Sequence, residues 1–399
     1  MTSTRRSFLR SGAALTALGI TPALLADSQR ALPVAVMGHT GRGNFGHGLD
    51  TVWLGIPSTR IVAVADPDKG GREKARKKLN LEETRAFADY HEMLAESKPA
   101  IVAVCPRHVD QHCDMAVAAA EAGAKGIYME KPFCRDLAEA DAIVKACKEN
   151  NTKLAIAHRN RYHPVLPVIR DLVDKGELGT LLEVRLRGKE DARGGGLDLW
   201  VLGSHLLNLA HYFADAPTSC SATILQDGRP VNADDVVEGD EGVGPLAGNA
   251  LHARWSTTSG TPVFFDSIRN AGTREAGFGL QLVGTEGIID LRADREPLAH
   301  LLKGNPHQPT ADARSWIPIT SAGIGKPEPR SDIRQWVAGH HAAVQDLLQA
   351  IEDDRAPLCD DEAGRVVMEM TMGVFASHRA DGARVSLPLA ERTHPWDHW

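Results

Sequence analysis

The sequence predicts an α/β chain: a doubly wound, mostly parallel sheet comes first, then an α+β unit on a mostly antiparallel open sheet. Three observations predict it. Short apolar, β-branched runs alternate with helical segments before residue 156, a glycine-rich turn follows the first of these runs, and beyond residue 156 strands succeed one another across tight turns. The length of 399 residues exceeds what one core serves. Boundaries are expected at 1–30 for a leader and linker, 31–155 and 156–320 for the two units, and 321–399 for terminal helices packing back on the first.

The first unit is marked by strands at Val34–Met37, Ile61–Ala65, Ile101–Cys105 and Ile127–Met129, with helical patterns such as Lys69–Leu79 and Val109–Ala122 between them. Apolar runs of this kind, without alternation, suit strands covered on both faces. In the second unit, Leu181–Arg187, Ser221–Gln226, Leu251–Ser256, Val263–Ile268, Leu280–Val283 and Ile288–Leu291 predict strands. A Pro-, Gly- and Ser-rich stretch, His307–Arg330, predicts a loop before one helix at Ile333–Ile351.

With 45 basic against 52 acidic side chains the net charge is −7, which offers no broad basic surface and excludes nucleic acid as a partner. Thr4-Arg5-Arg6-Ser7-Phe8-Leu9-Arg10 followed by the uncharged Ser11–Ala26 has the layout of a twin-arginine export signal, too short to span a bilayer stably. Periplasmic or extracellular location and passage through the twin-arginine machinery are therefore expected. Residues 1–26 hold three Arg and no acid, so their removal leaves 42 basic against 52 acidic side chains, a charge of −10. Six cysteines lie far apart without a C-x-x-C pair, which predicts no metal site and free, mostly buried thiols.

After Val34–Met37 comes Gly38-His39-Thr40-Gly41-Arg42-Gly43-Asn44-Phe45-Gly46, where residues 41, 43 and 46 match G-x-G-x-x-G. Glycines between a strand and a predicted helix bring backbone amides and a helix N-terminus against a pyrophosphate, so Gly38, Thr40, Gly41, Arg42 and Gly43 are candidate dinucleotide contacts and the first unit is a Rossmann domain. Asp66 ends the next strand 20 residues after Gly46, where a carboxylate binds ribose hydroxyls and repels a 2′-phosphate. NAD is the expected cofactor; Arg42, Lys69 and Arg72 leave NADP possible.

The strand Ile127–Met129 runs into Glu130-Lys131-Pro132, which places a lysine at the carboxyl edge of the sheet. This tripeptide, after such a domain, resembles the signature of the glucose–fructose oxidoreductase/inositol dehydrogenase (Gfo/Idh/MocA) family. Cys105-Pro106-Arg107-His108 with His112 looks like that family's nicotinamide-side turn, and Asn160-Arg161-Tyr162-His163-Pro164 like its domain-crossing segment. Gly194-Gly195-Gly196 followed by Gly203-Ser204-His205 looks like its substrate helix, and Gly284-Thr285-Glu286-Gly287 like its sheet hairpin. The resemblance implies that Lys131 and His205 carry substrate binding and proton transfer, and that Pro106, His108 and Glu130 join Lys131 beside the cofactor. It places Arg161 and Tyr162 of the domain-crossing segment at the substrate; Lys189, Asp191, Asp198 and Trp200 are substrate candidates from their positions near His205.

The chemistry suits those types. Oxidising an alcohol needs a base for the hydroxyl proton as hydride leaves carbon; a lysine lowered by burial or a nearby cation can serve, and histidine titrates nearest neutrality. Asn208 and Tyr212 share a helical face with His205. The sequence departs from the family where Val201 and Asn208 stand in place of acids near His205; either Asp198 or the Lys189-Glu190-Asp191 cluster rebuilds the relay, or no such relay is used and those charges form a solvated loop, and Trp200 is either a platform for a sugar face or a core residue.

The resemblance implies an oxidoreductase acting on a sugar, cyclitol or glycoside. Outside the cytoplasm no nicotinamide pool exists, so the cofactor must stay bound and be restored in each turnover, either by transhydrogenation or by transient oxidation, elimination and reversal on a glycoside. A non-catalytic dinucleotide-binding regulator is the reading from another class. The uncovered face of an open antiparallel sheet predicts a homo-oligomer.

Overall fold

The structure, a computed structural model, describes residues 31–271 and 277–399, so the segment expected to be an export signal lies outside the described residues. Six parallel strands, β1 Leu32–Met37, β2 Thr59–Ala65, β3 Ala86–Phe87, β4 Ile101–Val104, β5 Gly126–Met129 and β6 Lys153–Ile156, form the first sheet in the order 3-2-1-4-5-6. Helices α1 Lys69–Lys78, α2 Tyr90–Ser97, α3 His112–Glu121 and α4 Leu137–Glu149 connect the later strands. Val34–Met37 and Ile101–Val104 have no exposed surface, as strands covered on both faces require. Helix starts follow capping chemistry: Asp68 accepts from the Gly71 amide at 2.6 Å and Asp136 from the Glu139 amide at 2.8 Å.

The expected helix after the glycine-rich turn is absent. The chain leaves β1, runs through turns to residue 51 and makes one 3-10 turn, Val52–Gly55. Five glycines stand between residues 38 and 48, each costing a helix about 1 kcal/mol relative to alanine, and Gly48 takes a left-handed φ of +100°. Trp53 pins this stretch instead, buried with its indole N–H on the Leu49 carbonyl at 2.8 Å.

After helix α5, Val165–Asp174, the second unit builds one large sheet from β7 Leu181–Arg187, β8 Pro217–Gln226, β9 Arg229–Pro230, β12 Ala250–Thr257, β13 Val263–Ile268, β14 Gly279–Gly284, β15 Gly287–Arg292, β16 Ala299–Lys303, β17 Ile317–Thr320, β18 Gly323–Ile324 and β19 Val385–Ser386; β10 Val237–Glu238 and β11 Pro245–Leu246 form a separate ribbon. The large sheet is antiparallel except where β13 runs parallel to β7. β17 and β18 fall inside the stretch expected to be loop; both are short and half-buried at the sheet's end, so their alternation is weak.

Between β7 and β8 lie α6 Gly195–Asp198, a π-helical turn Leu199–Gly203 and α7 Ser204–Ala214. The carboxyl-terminal helices are α8 Ile333–Ala338, α9 His341–Glu352 and α10 Asp361–Arg379. One helix was expected over 333–351; it divides because His340 adopts a left-handed φ of +65° and its Nδ1 meets the Tyr128 hydroxyl at 2.7 Å. α10 is buried along most of its length, against β8 on one side and α4 on the other, and so joins the two units.

The six cysteines are free thiols, five buried and Cys113 half-buried. Among the described residues no helix is long and apolar enough to cross a membrane. The uncovered face of the large sheet is not apolar: His252 pairs with Asp266, Arg185 with Glu183 and Arg292 with Asp290.

Candidate active site

The strand order of the first sheet reverses between β1 and β4, which opens a crevice at the carboxyl ends. A cavity of about 200 Å³ lies there, roofed by the second unit. Lys131 enters it directly from the end of β5. Its side chain is buried, and Nζ donates to the Val201 carbonyl at 3.1 Å. That carbonyl belongs to the π-helical turn, a break in the helical ladder of the kind found at functional sites. Burial pushes the Lys131 ammonium below its ordinary pKa; Glu130 and Glu241 resist the shift, while Arg193 and Arg107 add to it.

Glu130 lies beneath, buried, accepting from the Lys131 amide at 2.7 Å and from His47 Nδ1 at 2.5 Å. Burial works against its charge, but the His47 hydrogen bond and the charge of Lys131 prevail and hold its pKa at about 2. It is therefore a fixed anion under the lysine.

His205 sits in the first turn of α7 and lines the cavity. Its Nδ1 lies 3.4 Å from Nδ1 of His158, with the rings edge to face at 5.0 Å. Burial, then His158 and Lys131, push its pKa well below the usual value, and burial with Lys131 brings His158 to about 3. Both rings are neutral at pH 7.

Other predicted residues are placed elsewhere. Asp198 does not line the cavity; its buried carboxylate accepts from Ser267 Oγ at 2.6 Å and from the Glu190 and Lys189 amides at 3.0 and 3.3 Å, so it staples the end of α6 to β13 and to the chain leaving β7. Trp200, next to the lysine's partner Val201, points into the core instead, stacked on His394 at 6.4 Å with 1% of its surface exposed. Tyr162 is buried with its hydroxyl on the Ile156 carbonyl, and Arg161 lies over the Tyr212 ring at 4.0 Å, in a different surface depression. Asn208 turns its amide to Cys359 Sγ. Lys189 lines the cavity, while Asp191 stands behind it, tied to Arg193.

The glycine turn is also corrected in part. Asp66, expected to face ribose hydroxyls, has no exposed surface and accepts from the Thr40 amide at 3.1 Å, Thr40 Oγ1 at 2.7 Å and the Asp68 amide at 2.9 Å. Gly38 is covered by the Phe45 ring, Pro106 accepts on its carbonyl from His112 Nε2 at 2.7 Å, and His108 stands half-exposed outside the cavity lining. Arg42 is half-exposed and ion-paired with Asp110. Gly43 is required: a Cβ there would stand 2.3 Å from the Arg107 amide nitrogen.

Several contributors had not been singled out: His47, Arg159, Arg193, Glu241, Asp294 and His340 on the cavity wall, and His158 against His205. Glu241 hangs at the tip of the β10–β11 ribbon, which packs on the Val109–Gln111 turn and carries the carboxylate across from the second unit. Asp294 holds Arg159 on the cavity wall by accepting from its Nε at 3.0 Å and by an ion-pair contact of 2.7 Å, and His340 closes the far side of the cavity. An acid flanked by glycines in Gly239-Asp240-Glu241-Gly242 was the available signal for Glu241; nothing local marks the others.

Residues 34–158 match the model of the oxidoreductase family's NAD-binding Rossmann fold, and residues 170–387 that family's C-terminal alpha/beta domain. The chain belongs to the Gfo/Idh/MocA oxidoreductase family. Among curated relatives, this oxidoreductase is 24% identical to the levoglucosan dehydrogenase of Pseudarthrobacter phenanthrenivorans over 60% of the chain and 66% of that protein. It is 32% identical to the scyllo-inositol 2-dehydrogenase (NAD(+)) of Bacillus subtilis over 36% of the chain and 41% of that protein. The chain thus matches less than two thirds of either relative's length. Among solved structures, levoglucosan dehydrogenase in complex with NADH and L-sorbose superposes with a TM-score of 0.72 at 18% identity, covering 90% of this chain and 99% of that one. An oxidoreductase from Agrobacterium radiobacter in complex with NAD+, L-tartaric acid and magnesium does so at 0.65 and 16%, covering 89% and 98%.

The residues of this oxidoreductase fit a dinucleotide at two points. Gly41 exposes its backbone at φ +88° with no atom within 4 Å of where a Cβ would stand, beside the Arg42 guanidinium, which suits a pyrophosphate. The cavity with Glu130, Lys131 and Arg107 suits a nicotinamide end. At the third, Asp66 shapes the turn through Thr40 and reaches a ribose only if Thr40 yields its hydrogen bonds.

Proposed function

We propose that the protein oxidises a hydroxyl of a sugar, cyclitol or glycoside, with NAD held through the turnover and restored within it. The observation that carries this is Lys131, a buried amine at the carboxyl edge of a Rossmann sheet, hydrogen-bonded among the described residues only to a carbonyl and sharing a small polar cavity with His205. NAD supplies the hydride acceptor when bound. Burial keeps Lys131 available as a neutral amine at lower pH than a free lysine, so Nζ can take the hydroxyl proton as hydride leaves the carbinol carbon. Arg159, fixed by Asp294, and Arg193, fixed by Asp191, present positioned N–H donors to ligand oxygens. The dehydrogenases of levoglucosan and scyllo-inositol among the relatives support a polyhydroxylated ring as substrate.

Export is part of the proposal, supported by the Arg5-Arg6 pair and the uncharged stretch after it, as is delivery by the twin-arginine machinery to the periplasm or exterior. A homo-oligomer using the open sheet would meet through a face of paired charges, and light scattering at low and high salt tests it.

The deciding experiment denatures the purified, folded protein and identifies any released dinucleotide. NAD or NADH is expected; absence of both, with no binding of added NAD, overturns the catalytic reading. Turnover of sugars and nitrophenyl glycosides, with and without a second carbonyl acceptor, then separates transhydrogenation from oxidation and elimination. Lys131→Ala should abolish turnover and keep dinucleotide binding; unchanged turnover removes Lys131 from the mechanism.

A further inference from the structure

We infer that His158 fixes the tautomer of His205, so that His205 presents Nε2–H to its ligand as a hydrogen-bond donor and leaves proton abstraction to Lys131. The part concerning the ligand rests on the dehydrogenase reading above; the tautomer does not.

A neutral imidazole has one N–H and one lone pair. The 3.4 Å contact joins the two Nδ1 atoms, so one of them donates and the other accepts. If His205 donated, His158 would carry its proton on Nε2. That atom is buried without a partner, and an orphaned buried N–H is the rarer and costlier defect. If His158 donates from Nδ1, its Nε2 is only a bare lone pair, a less costly group to leave unpaired. His205 then accepts on Nδ1 and must be protonated on Nε2. No such seal closes the Nε2 of His205, which has no partner among the described residues and is not among their buried orphaned atoms.

The surroundings exclude the charged alternative. The groups facing the pair are Lys131 from the end of β5, Arg159 beside His158 and His47 from the glycine turn, each of which disfavours a proton on His205, and Glu130, whose charge favours one on His158 but is outweighed there by burial and Lys131. The acids of the cavity are directed elsewhere: Glu130 to His47 and the Lys131 amide, Asp294 to Arg159 and Asn160, while Glu241 makes no hydrogen bond to His205. An acid accepting at Nδ1 would place the proton there and bare Nε2 as a base. A histidine donor at the same nitrogen reverses that polarity.

The consequence is a division of labour at one ligand oxygen. The substrate O–H donates to Lys131 Nζ while the same oxygen accepts from His205 Nε2–H. With a bound dinucleotide to supply the hydride acceptor, the proton would pass to Lys131, the oxygen would become a carbonyl oxygen and the His205 bond would remain.

The test is a long-range proton–nitrogen correlation spectrum of the full chain labelled with nitrogen-15 in histidine, at pH 7. Loss of signals in His205→Gln and His158→Gln assigns the pair. His205 protonated on Nε2 alone and His158 on Nδ1 alone are expected; a proton on Nδ1 of His205 overturns the inference. His158→Asp, which can only accept, should move the His205 proton to Nδ1 and raise its pKa; a spectrum unchanged from the wild type shows that His158 does not set the tautomer. In kinetics, His205→Gln, which keeps an N–H but cannot act as a base, should retain about tenfold more kcat than His205→Ala. Equal losses overturn the donor role. Absence of NAD from the denatured protein would defeat the dehydrogenase reading while leaving the spectrum interpretable.

Discussion

Asp198 offers the sharpest contrast between a catalytic and a structural carboxylate. Asp198→Ala removes the acceptor of three donors, Ser267 Oγ, the Glu190 amide and the Lys189 amide, in a place with no exposed surface. Each buried donor left unsatisfied costs about 1–3 kcal/mol. Against this stands the relief of a buried charge, since burial raises the Asp198 pKa despite those hydrogen bonds. The net loss should be about 3–5 kcal/mol, in line with breaking a buried charged network. Asp198→Asn keeps the shape and one acceptor and should lose only about 1 kcal/mol. The sign of the pH effect follows from the raised pKa: the wild type loses stability as pH climbs from about 4 toward the folded-state value, so the Asn variant gains on it over that range. Urea unfolding followed by tryptophan fluorescence reads this, since Trp200 lies two residues away. Turnover of Asp198→Asn should stay close to wild type. An unchanged unfolding midpoint in Asp198→Ala, or an Asn variant with wild-type stability and no turnover, would refute the structural role and restore Asp198 as the relay acid.

Other outcomes follow from the same geometry. Glu130 is held at about 2 against an ordinary 4.5, so it contributes stability above pH 4.5, about 3 kcal/mol, that is lost as pH falls toward 2; His47→Ala should shift acid unfolding to higher pH, and an unchanged acid midpoint would contradict the pairing. Trp200→Phe should leave KM within about twofold and lower stability by roughly 1–3 kcal/mol, because the indole packs on His394 and Phe375; a large KM change would return it to the substrate site. Thiol reagents at pH 8 should find at most Cys113 in the folded protein and six thiols after denaturation, since burial raises Cys113 to about 12 and Cys134 and Cys105 well above the usual range; fewer than six after denaturation would reveal a disulfide.

Much of this protein is legible from local pattern. Buried parallel strands need unbroken apolar runs, so β1, β2, β4 and β5 stand out in the sequence, and a lysine that follows β5 without interruption must emerge at the carboxyl edge. The same holds for His205, which a glycine-marked helix start locates. After β1 local pattern misled because of glycine: the turn has the spacing of a phosphate loop but too many glycines for the helix that should follow.

What residue surrounds what is a different matter. Asp198 and Trp200 flank Val201 by three residues and one, yet the π-helical turn changes the angular step per residue, sending Asp198 to Ser267 and Trp200 to His394 while the Val201 carbonyl meets Lys131. His158 reaches His205 across 47 residues, and Glu241 crosses from one unit to the other on a ribbon tip. The sequence by itself determined which elements form and which edge of the sheet carries the lysine, because those depend on periodicity over a few residues. Only the tertiary structure decided the partner of His205, because a hydrogen bond between side chains depends on where two separate backbones are brought within 3.4 Å.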